Sequence, residues 1–136
     1  MSLTSEEDRK MVLSTLWIVV MLNMIFADLF SIMVELVNKN TLDIPGEVTS
    51  IMAVAAVVTN VPILMIYFSR VLKYSLNRWL NIGAALFTIL YVIGGGSILP
   101  HYIIIAFIEV VVLLSIALVA WKWKPIQEVE QNFEHK

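Results

Sequence analysis

The sequence contains no cysteine and few charged residues, and both shortages narrow the classes of protein that it can belong to. Without cysteine there is no disulfide, no thiolate metal ligand and no cysteine nucleophile. Charged residues make up 15% of the chain, whereas soluble domains carry about 25%. The net charge is −2, and no basic patch remains to bind nucleic acid. The composition therefore argues against a soluble, disulfide-stabilised or nucleic-acid-binding protein.

Apolar residues are abundant instead: they make up 60% of the 136 residues, and the mean hydropathy is +0.86. Four apolar runs cover about residues 11–37, 48–69, 79–98 and 101–122. Each is near or above the ~20 residues with which a helix crosses the hydrocarbon core, and each is apolar nearly all round. We predict an all-α integral membrane protein, an antiparallel four-helix bundle that forms one domain over residues 1–136. The segment 125–136 is too polar to span and is predicted to be a solvated tail.

The distribution of basic residues predicts the orientation of the bundle. Eight of the nine lie before the first span, between the second and third, or after the fourth; these are Arg9, Lys10, Arg70, Lys73, Arg78, Lys122, Lys124 and Lys136. Only Lys39 lies on the other side. The positive-inside rule then places both termini in the cytoplasm, in a multi-pass protein of the inner (plasma) membrane.

Two carboxylates are predicted to lie well inside the membrane, Asp28 on the first span and Glu109 on the fourth. Counting ~1.5 Å of rise per residue puts both about 12–13 Å below the outer boundary. A charged group at such depth costs about 2.5–3.5 kcal/mol on insertion scales, so these acids mark a functional site by default. At one level, the pair could share a proton or hold a cation. Glu35 and His101 lie nearer the outer surface and are secondary candidates for the same site.

Asn60 on the second span is a further candidate ligand. Pro62, two residues later, frees a backbone carbonyl in the preceding turn, which together with the amide could bind a cation or a water molecule. Asn60 also continues a stripe of small residues, Thr49, Ala53 and Ala56. Small residues at helical spacing allow close approach of helices in lipid, so we expect this stripe to be a packing face.

Five segments together resemble a known family: they are "LSTLWIVVMLNMIFADLFSIM", "SRVLKYSLNRWLNI", "YVIGGGS", "PHYIIIAFIEVV" and "WKWK". They are similar to a family of small bacterial proteins with four spans, catalogued as a domain of unknown function, over about residues 12–124. The positions that match are Trp17, Asn23, Asp28, Arg70, Arg78, Trp79, Asn81, His101 and Glu109. The resemblance implies a four-helix integral membrane protein and carries no activity to transfer.

Three functions remain open at this point. The first is a protein that binds or transports a proton or small cation at Asp28 and Glu109, as a homodimer if it transports. The second is a structural subunit that stabilises a larger membrane complex. The third and weakest is an intramembrane enzyme acting on lipid or quinone, with the two acids as general acid and base. The sequence identifies no cofactor and no metal, and heme is disfavoured because His101 is the one histidine in a span.

Overall fold

The computed structural model describes residues 5–39, 48–96 and 98–123, except for the side chains of residues 39, 48, 49 and 51. These residues form four helices and no strand: α1 (Glu6–Lys39), α2 (Val48–Val71), α3 (Tyr74–Gly94) and α4 (Pro100–Trp121). All four are long and apolar enough to cross a membrane. The prediction of an all-α protein with four spans is confirmed. The predicted tail, 125–136, lies outside the described residues.

The helices form a closed ring in chain order. α1 packs against α2 and α4, and α3 packs closely against α4 and less extensively against α2. Arg9 near the start of α1 donates a hydrogen bond from Nη1 to the carbonyl of Lys122 after α4, at 3.3 Å. Tyr74 at the start of α3 donates from its hydroxyl to the carbonyl of Trp123, at 2.7 Å. Neighbouring helices are therefore antiparallel.

One end of the bundle is strongly basic. It contains the start of α1, the end of α2, the start of α3 and the end of α4, and it carries Arg9, Lys10, Arg70, Lys73, Arg78 and Lys122. We call it the basic end. The helices are longer here than the apolar runs predict, because α1 begins at Glu6 and α3 at Tyr74. Ser5 caps α1, accepting a hydrogen bond on its Oγ from the backbone N–H of Asp8 at 3.0 Å.

The segment between the second and third apolar runs is mostly helical, although its basic residues suggested a loop. Only Leu72 and Lys73 separate α2 from α3. Arg70 lies in the last turn of α2, where its positive charge interacts favourably with the negative end of the helix dipole. Long basic side chains can also extend from a helix end to water while their stems stay apolar. A cluster of basic residues therefore ends the membrane span without ending the helix.

Packing is tightest between the basic end and the middle of the bundle. The side chains with no solvent exposure at all lie there: Leu13, Ser14, Trp17, Val20, Ser69, Asn77, Asn81, Ala85, Leu113, Ile116 and Ala120. Towards the opposite end burial is uneven. On α2, Val58 is 7% exposed, whereas Val54, one turn further along the same face, is 62% exposed. On α3, by contrast, Val92 is still buried two residues before the helix ends.

The small-residue stripe of α2 does not pack within the chain. Val58 and Pro62 are buried, and Asn60 lies two residues from each, about 200° around the helix. Ala53, Ala56 and Asn60 are accordingly exposed. The prediction of a packing face inside the bundle was wrong for these three residues, and the side chain of Thr49 is outside the described set. Because α2 is apolar all round, its sequence pattern could not show which face turns inward.

Candidate functional site

Asp28 lies on the inward face of α1, above a closed core. Trp17 and Asp28 are eleven residues apart, so they share a face to within about 20°. Trp17 is completely buried and donates its indole N–H to Oδ1 of Asn81 on α3, at 2.7 Å. Asp28, three turns further from the basic end, is exposed. The same face of α1 thus begins in packed core and carries an exposed carboxylate three turns further on.

Glu109 of α4 approaches the same region from the other side. Asp28 and Glu109 are close enough to interact electrostatically, as the count of helical rise predicts. Glu109 is only 3% exposed, and its Oε1 atom is buried and has no hydrogen-bond partner among the residues that the structure describes. A buried carboxylate oxygen without a partner is unusual, since such groups are costly unless they are bonded. One acid of the pair is therefore buried on α4, and the other is exposed on α1.

Two tyrosines also lie near Asp28 and Glu109, and they were not predicted from the sequence. Tyr91 of α3 and Tyr102 of α4 both lie close enough to Asp28 and Glu109 to be affected by a charge on either carboxyl group. The Tyr102 hydroxyl donates a hydrogen bond to the carbonyl of Val92 at 2.9 Å, which links α4 to α3. Tyr102 lies seven residues before Glu109, which puts both on one face of α4. This spacing is visible in the sequence and could have identified Tyr102 as a neighbour of the site. We call Asp28, Tyr91, Tyr102 and Glu109 the acid site.

The two secondary candidates near the outer surface lie beside the acid site. Glu35 is half-buried, seven residues beyond Asp28 and on the same face of α1. His101 is half-buried as well, but its contacts are with α1: Nε2 is 3.3 Å from Oγ of Ser31, and its ring meets that of Phe30 edge-on. Glu35 therefore shares the face of the acid site, whereas His101 lies where α4 meets α1.

His101 borders an open groove of about 450 Å³ on the outside of the α1–α4 contact. Phe30, Met33, Val34, Val37 and Asn38 form the rest of its lining. The lining is almost entirely apolar, as is usual for a surface that faces lipid. The groove brings no second titratable group to the histidine.

Asn60 is exposed on the outer face of α2, remote from the inward face that bears Val58 and Pro62. Its side-chain N–H donates to the carbonyl of Ala56 in the preceding turn, at 2.8 Å. The structure thus separates Asn60 from Asp28 and Glu109, which both turn inward.

The floor beneath the acid site is a buried polar cluster that links three helices. We call it the asparagine network: Trp17, Ser69, Asn77 and Asn81. Oδ1 of Asn81 accepts hydrogen bonds from the Trp17 indole and, at 3.0 Å, from the Ser69 hydroxyl. Its Nδ2 donates to the backbone carbonyl and to Oδ1 of Asn77, at 2.8 and 2.6 Å. Asn77 in turn donates to the carbonyl of Ser69 at 2.7 Å. The network links α1, α2 and α3 on the side of the acid site that faces the basic end.

The described residues supply no counter-charge to the two carboxyl groups of the acid site. Within residues 5–39, 48–96 and 98–123, no basic side chain forms an ion pair with Asp28 or Glu109; the ion pairs of Lys10 with Glu6 and Glu7 are at the basic end. The same residues contain no group of three or more His, Asp and Glu side chains that could hold a metal ion.

Four apolar helices, closed around a polar floor and carrying an intramembrane acid pair, define a small multi-pass membrane protein. More specifically, the chain belongs to DUF6326, a family of unknown function, whose model matches residues 2–129. Comparison with curated proteins and with solved structures gives no match. The family assignment agrees with the resemblance seen in the sequence motifs. It supplies no activity, so function has to be argued from the site itself.

Proposed function

We propose that this protein binds a proton or a small cation at Asp28 and Glu109, and that this binding is the basis of its function in the membrane. The observation that carries the proposal is the buried Oε1 of Glu109, which has no hydrogen-bond partner among the described residues although a second carboxylate lies nearby. Two acids in a low-dielectric interior repel each other unless a proton or cation lies between them. A proton or a cation bound there would neutralise the carboxylates, with which no described basic residue pairs.

Access to the proposed site is from the end opposite the basic end. Asp28 is exposed, and the interior closes below it at Trp17. The positive-inside rule supports a cytoplasmic basic end, so the opposite end would face the outside of the cell. Glu35, further out on the same face, would be the first acid that an entering cation meets. Asn60 faces away from Asp28 and Glu109 and is not part of the proposed site.

Neutralising the acids is expected to abolish cation- or proton-linked stabilisation. A ligand that binds only the folded state at 100 times its dissociation constant stabilises it by about 2.7 kcal/mol. For the wild-type protein in proteoliposomes, we expect Na⁺, K⁺ or Mg²⁺ to raise the unfolding temperature, or a pH gradient to drive proton flux read by an internal pH dye. Asp28→Asn and Glu109→Gln should each remove the response.

Glu7→Gln is the matched control, because Glu7 is an exposed carboxylate at the basic end whose partner is Lys10. It should leave both the thermal shift and the proton flux unchanged. If Asp28→Asn and Glu109→Gln respond to cations and pH as the wild-type protein does, the proposed function is wrong. An unchanged response together with altered unfolding temperature or assembly would favour a structural subunit instead.

A further inference from the structure

A second feature of the molecule, independent of the acid site, is an apolar groove between α2 and α3. It has a volume of about 440 Å³, and Val61, Leu64, Phe68, Trp79, Gly83 and Phe87 are among its lining residues. The groove exists because α2 and α3 make the least extensive contact of the four neighbouring pairs. Gly83 borders open space in the groove, since a Cβ atom added there would meet no atom within 4 Å.

The groove runs into the basic end of the bundle. Phe68 lies three residues before the end of α2, and Trp79 lies near the start of α3. From Trp79 to Phe87 the groove follows α3 for about 12 Å. One mouth of the groove is therefore at the level where the basic residues begin, and the rest of it lies within the apolar span.

Two basic residues that pair with no described acid lie near this mouth, Lys73 beside it and Arg78 on the side of α3 that faces α4. The Arg78 guanidinium lies over the rings of Trp79 and Trp121, at 5.7 and 5.5 Å from their centroids, and donates from Nη1 to the Tyr74 hydroxyl at 3.2 Å. Its Nε atom is buried without a hydrogen-bond partner. Lys73, exposed in the link between α2 and α3, adds a second charge. Within the described ranges, neither Arg78 nor Lys73 pairs with an acid, whereas Lys10 pairs with both Glu6 and Glu7.

The start of α3 adds to the positive potential at the same place. Its first turn contains no acidic residue, and the N-cap residue Lys73 makes no side-chain hydrogen bond to the free N–H groups. Unpaired N–H groups at a helix N-terminus favour phosphate and other anions. The start of α3 and Lys73 are thus two sources of positive potential at the mouth of one apolar groove, and Arg78 adds to that potential from the side of Trp79 that faces α4.

We propose that the α2–α3 groove binds one acyl chain of an anionic phospholipid, whose phosphate lies against Lys73 and the start of α3. Basic pockets between transmembrane helices are a recurring arrangement for anionic headgroups. Trp79 connects the two parts of the site, because its ring lines the groove and also carries the guanidinium of Arg78. The charge at the mouth selects an anionic over a zwitterionic lipid, and the groove selects a lipid over a free phosphate.

Native mass spectrometry of the purified full chain tests the proposal. The probes are dipalmitoyl phosphatidylglycerol, the phosphatidylcholine with the same chains, and glycerophosphoglycerol, which has the headgroup without chains. We expect bound phosphatidylglycerol to exceed phosphatidylcholine about fivefold, and glycerophosphoglycerol not to compete. Lys73→Gln should remove most of that preference. Gly83→Leu, which fills the groove, should lower binding of both lipids about tenfold.

Two matched substitutions control for general effects. Gly94→Leu places the same side chain at another α3 glycine that has open space around it, at the far end of the helix. Lys10→Gln removes one charge from the basic end at a position already paired with acids. Both should bind phosphatidylglycerol as the wild-type protein does. The proposal is overturned if Gly83→Leu matches Gly94→Leu, if Lys73→Gln matches Lys10→Gln, or if glycerophosphoglycerol displaces the lipid.

Discussion

Replacing Asn81 with alanine is expected to lower the free energy of unfolding by about 3 kcal/mol. The substitution removes the acceptor of the Trp17 indole and of the Ser69 hydroxyl, as well as the donor to Asn77. Hydrogen bonds between transmembrane helices average only about 0.6 kcal/mol, so the lost bonds alone would not produce this effect. Most of it comes from leaving buried donors without any acceptor, in a region that has no solvent exposure. Unfolding by SDS titration in mixed micelles, followed by far-UV circular dichroism, measures the change.

Asn60→Ala is the matched comparison for Asn81→Ala. Asn60 is also a helical asparagine that donates to a backbone carbonyl, but it is exposed and links no second helix. We expect its substitution to change stability by less than about 0.5 kcal/mol. In a double-mutant cycle, Trp17→Phe and Asn81→Ala should show a coupling of about 1 kcal/mol. Equal effects of Asn81→Ala and Asn60→Ala would show that the network does not stabilise the bundle.

A cysteine at position 28 is expected to react with a water-soluble thiol reagent at least about a hundred times faster than one at position 85 or 90. The chain contains no native cysteine, so single substitutions need no background correction. Asp28 is exposed on the inward face, Ala85 is completely buried, and Leu90 is 72% exposed on a lipid-facing side of α3. Because the thiolate is the reactive form, a thiol surrounded by lipid stays inert although it is exposed. Mass spectrometry of the modified protein gives the rate at each position.

Leu90→Cys makes this experiment decisive. It separates exposure to water, which the proposed access route should provide, from exposure to hydrocarbon. Reaction at position 28 from the side opposite the basic end would agree with the proposed access route. If Asp28→Cys and Leu90→Cys react at the same slow rate, the proposed route holds no water, and access from that end is wrong.

Much of the fold could be predicted because membrane spans depend on composition and length. Four apolar runs of sufficient length predicted four helices. The depth of Asp28 and Glu109 in the membrane was predicted by counting helical rise from the ends of their runs. Asp28 and Glu109 are indeed near each other. That inference did not depend on details of packing, because two residues at one level on inward faces of a narrow bundle have little room to be far apart.

The asparagine network was not predicted, for a reason that lies in the basic segment between α2 and α3. Basic residues marked residues 70–78 as a loop, and Asn77 fell within it, although the structure makes that residue part of α3. Once α3 begins at Tyr74, Asn77 and Asn81 lie four residues apart on one face, followed on that face by Ala85 and Thr88. The spacing was visible in the sequence, but the assumed loop concealed it.

The outward rotation of Asn60 could not be predicted at all. α2 is apolar around its whole circumference, so no hydrophobic face shows which side turns inward. Neighbouring helices decide the rotation, and they act through shape rather than polarity. Where a span carries few polar residues, the placement of a single asparagine is therefore the least certain part of a sequence-based site.

The asparagine network also has a consequence for how the chain enters the membrane during synthesis. α3 has the lowest mean hydropathy of the four spans, in part because it carries Asn77 and Asn81, whereas the following α4 has the highest. When α3 emerges from the ribosome, its amides bond to α1 and α2 only if those helices are already in place, and insertion of polar residues is otherwise costly. The strongly apolar α4 can offset that cost if the two helices insert as a hairpin. Two spans precede α3 along the chain, and the most apolar span follows it. This order therefore favours insertion of α3, the least apolar span, into the membrane.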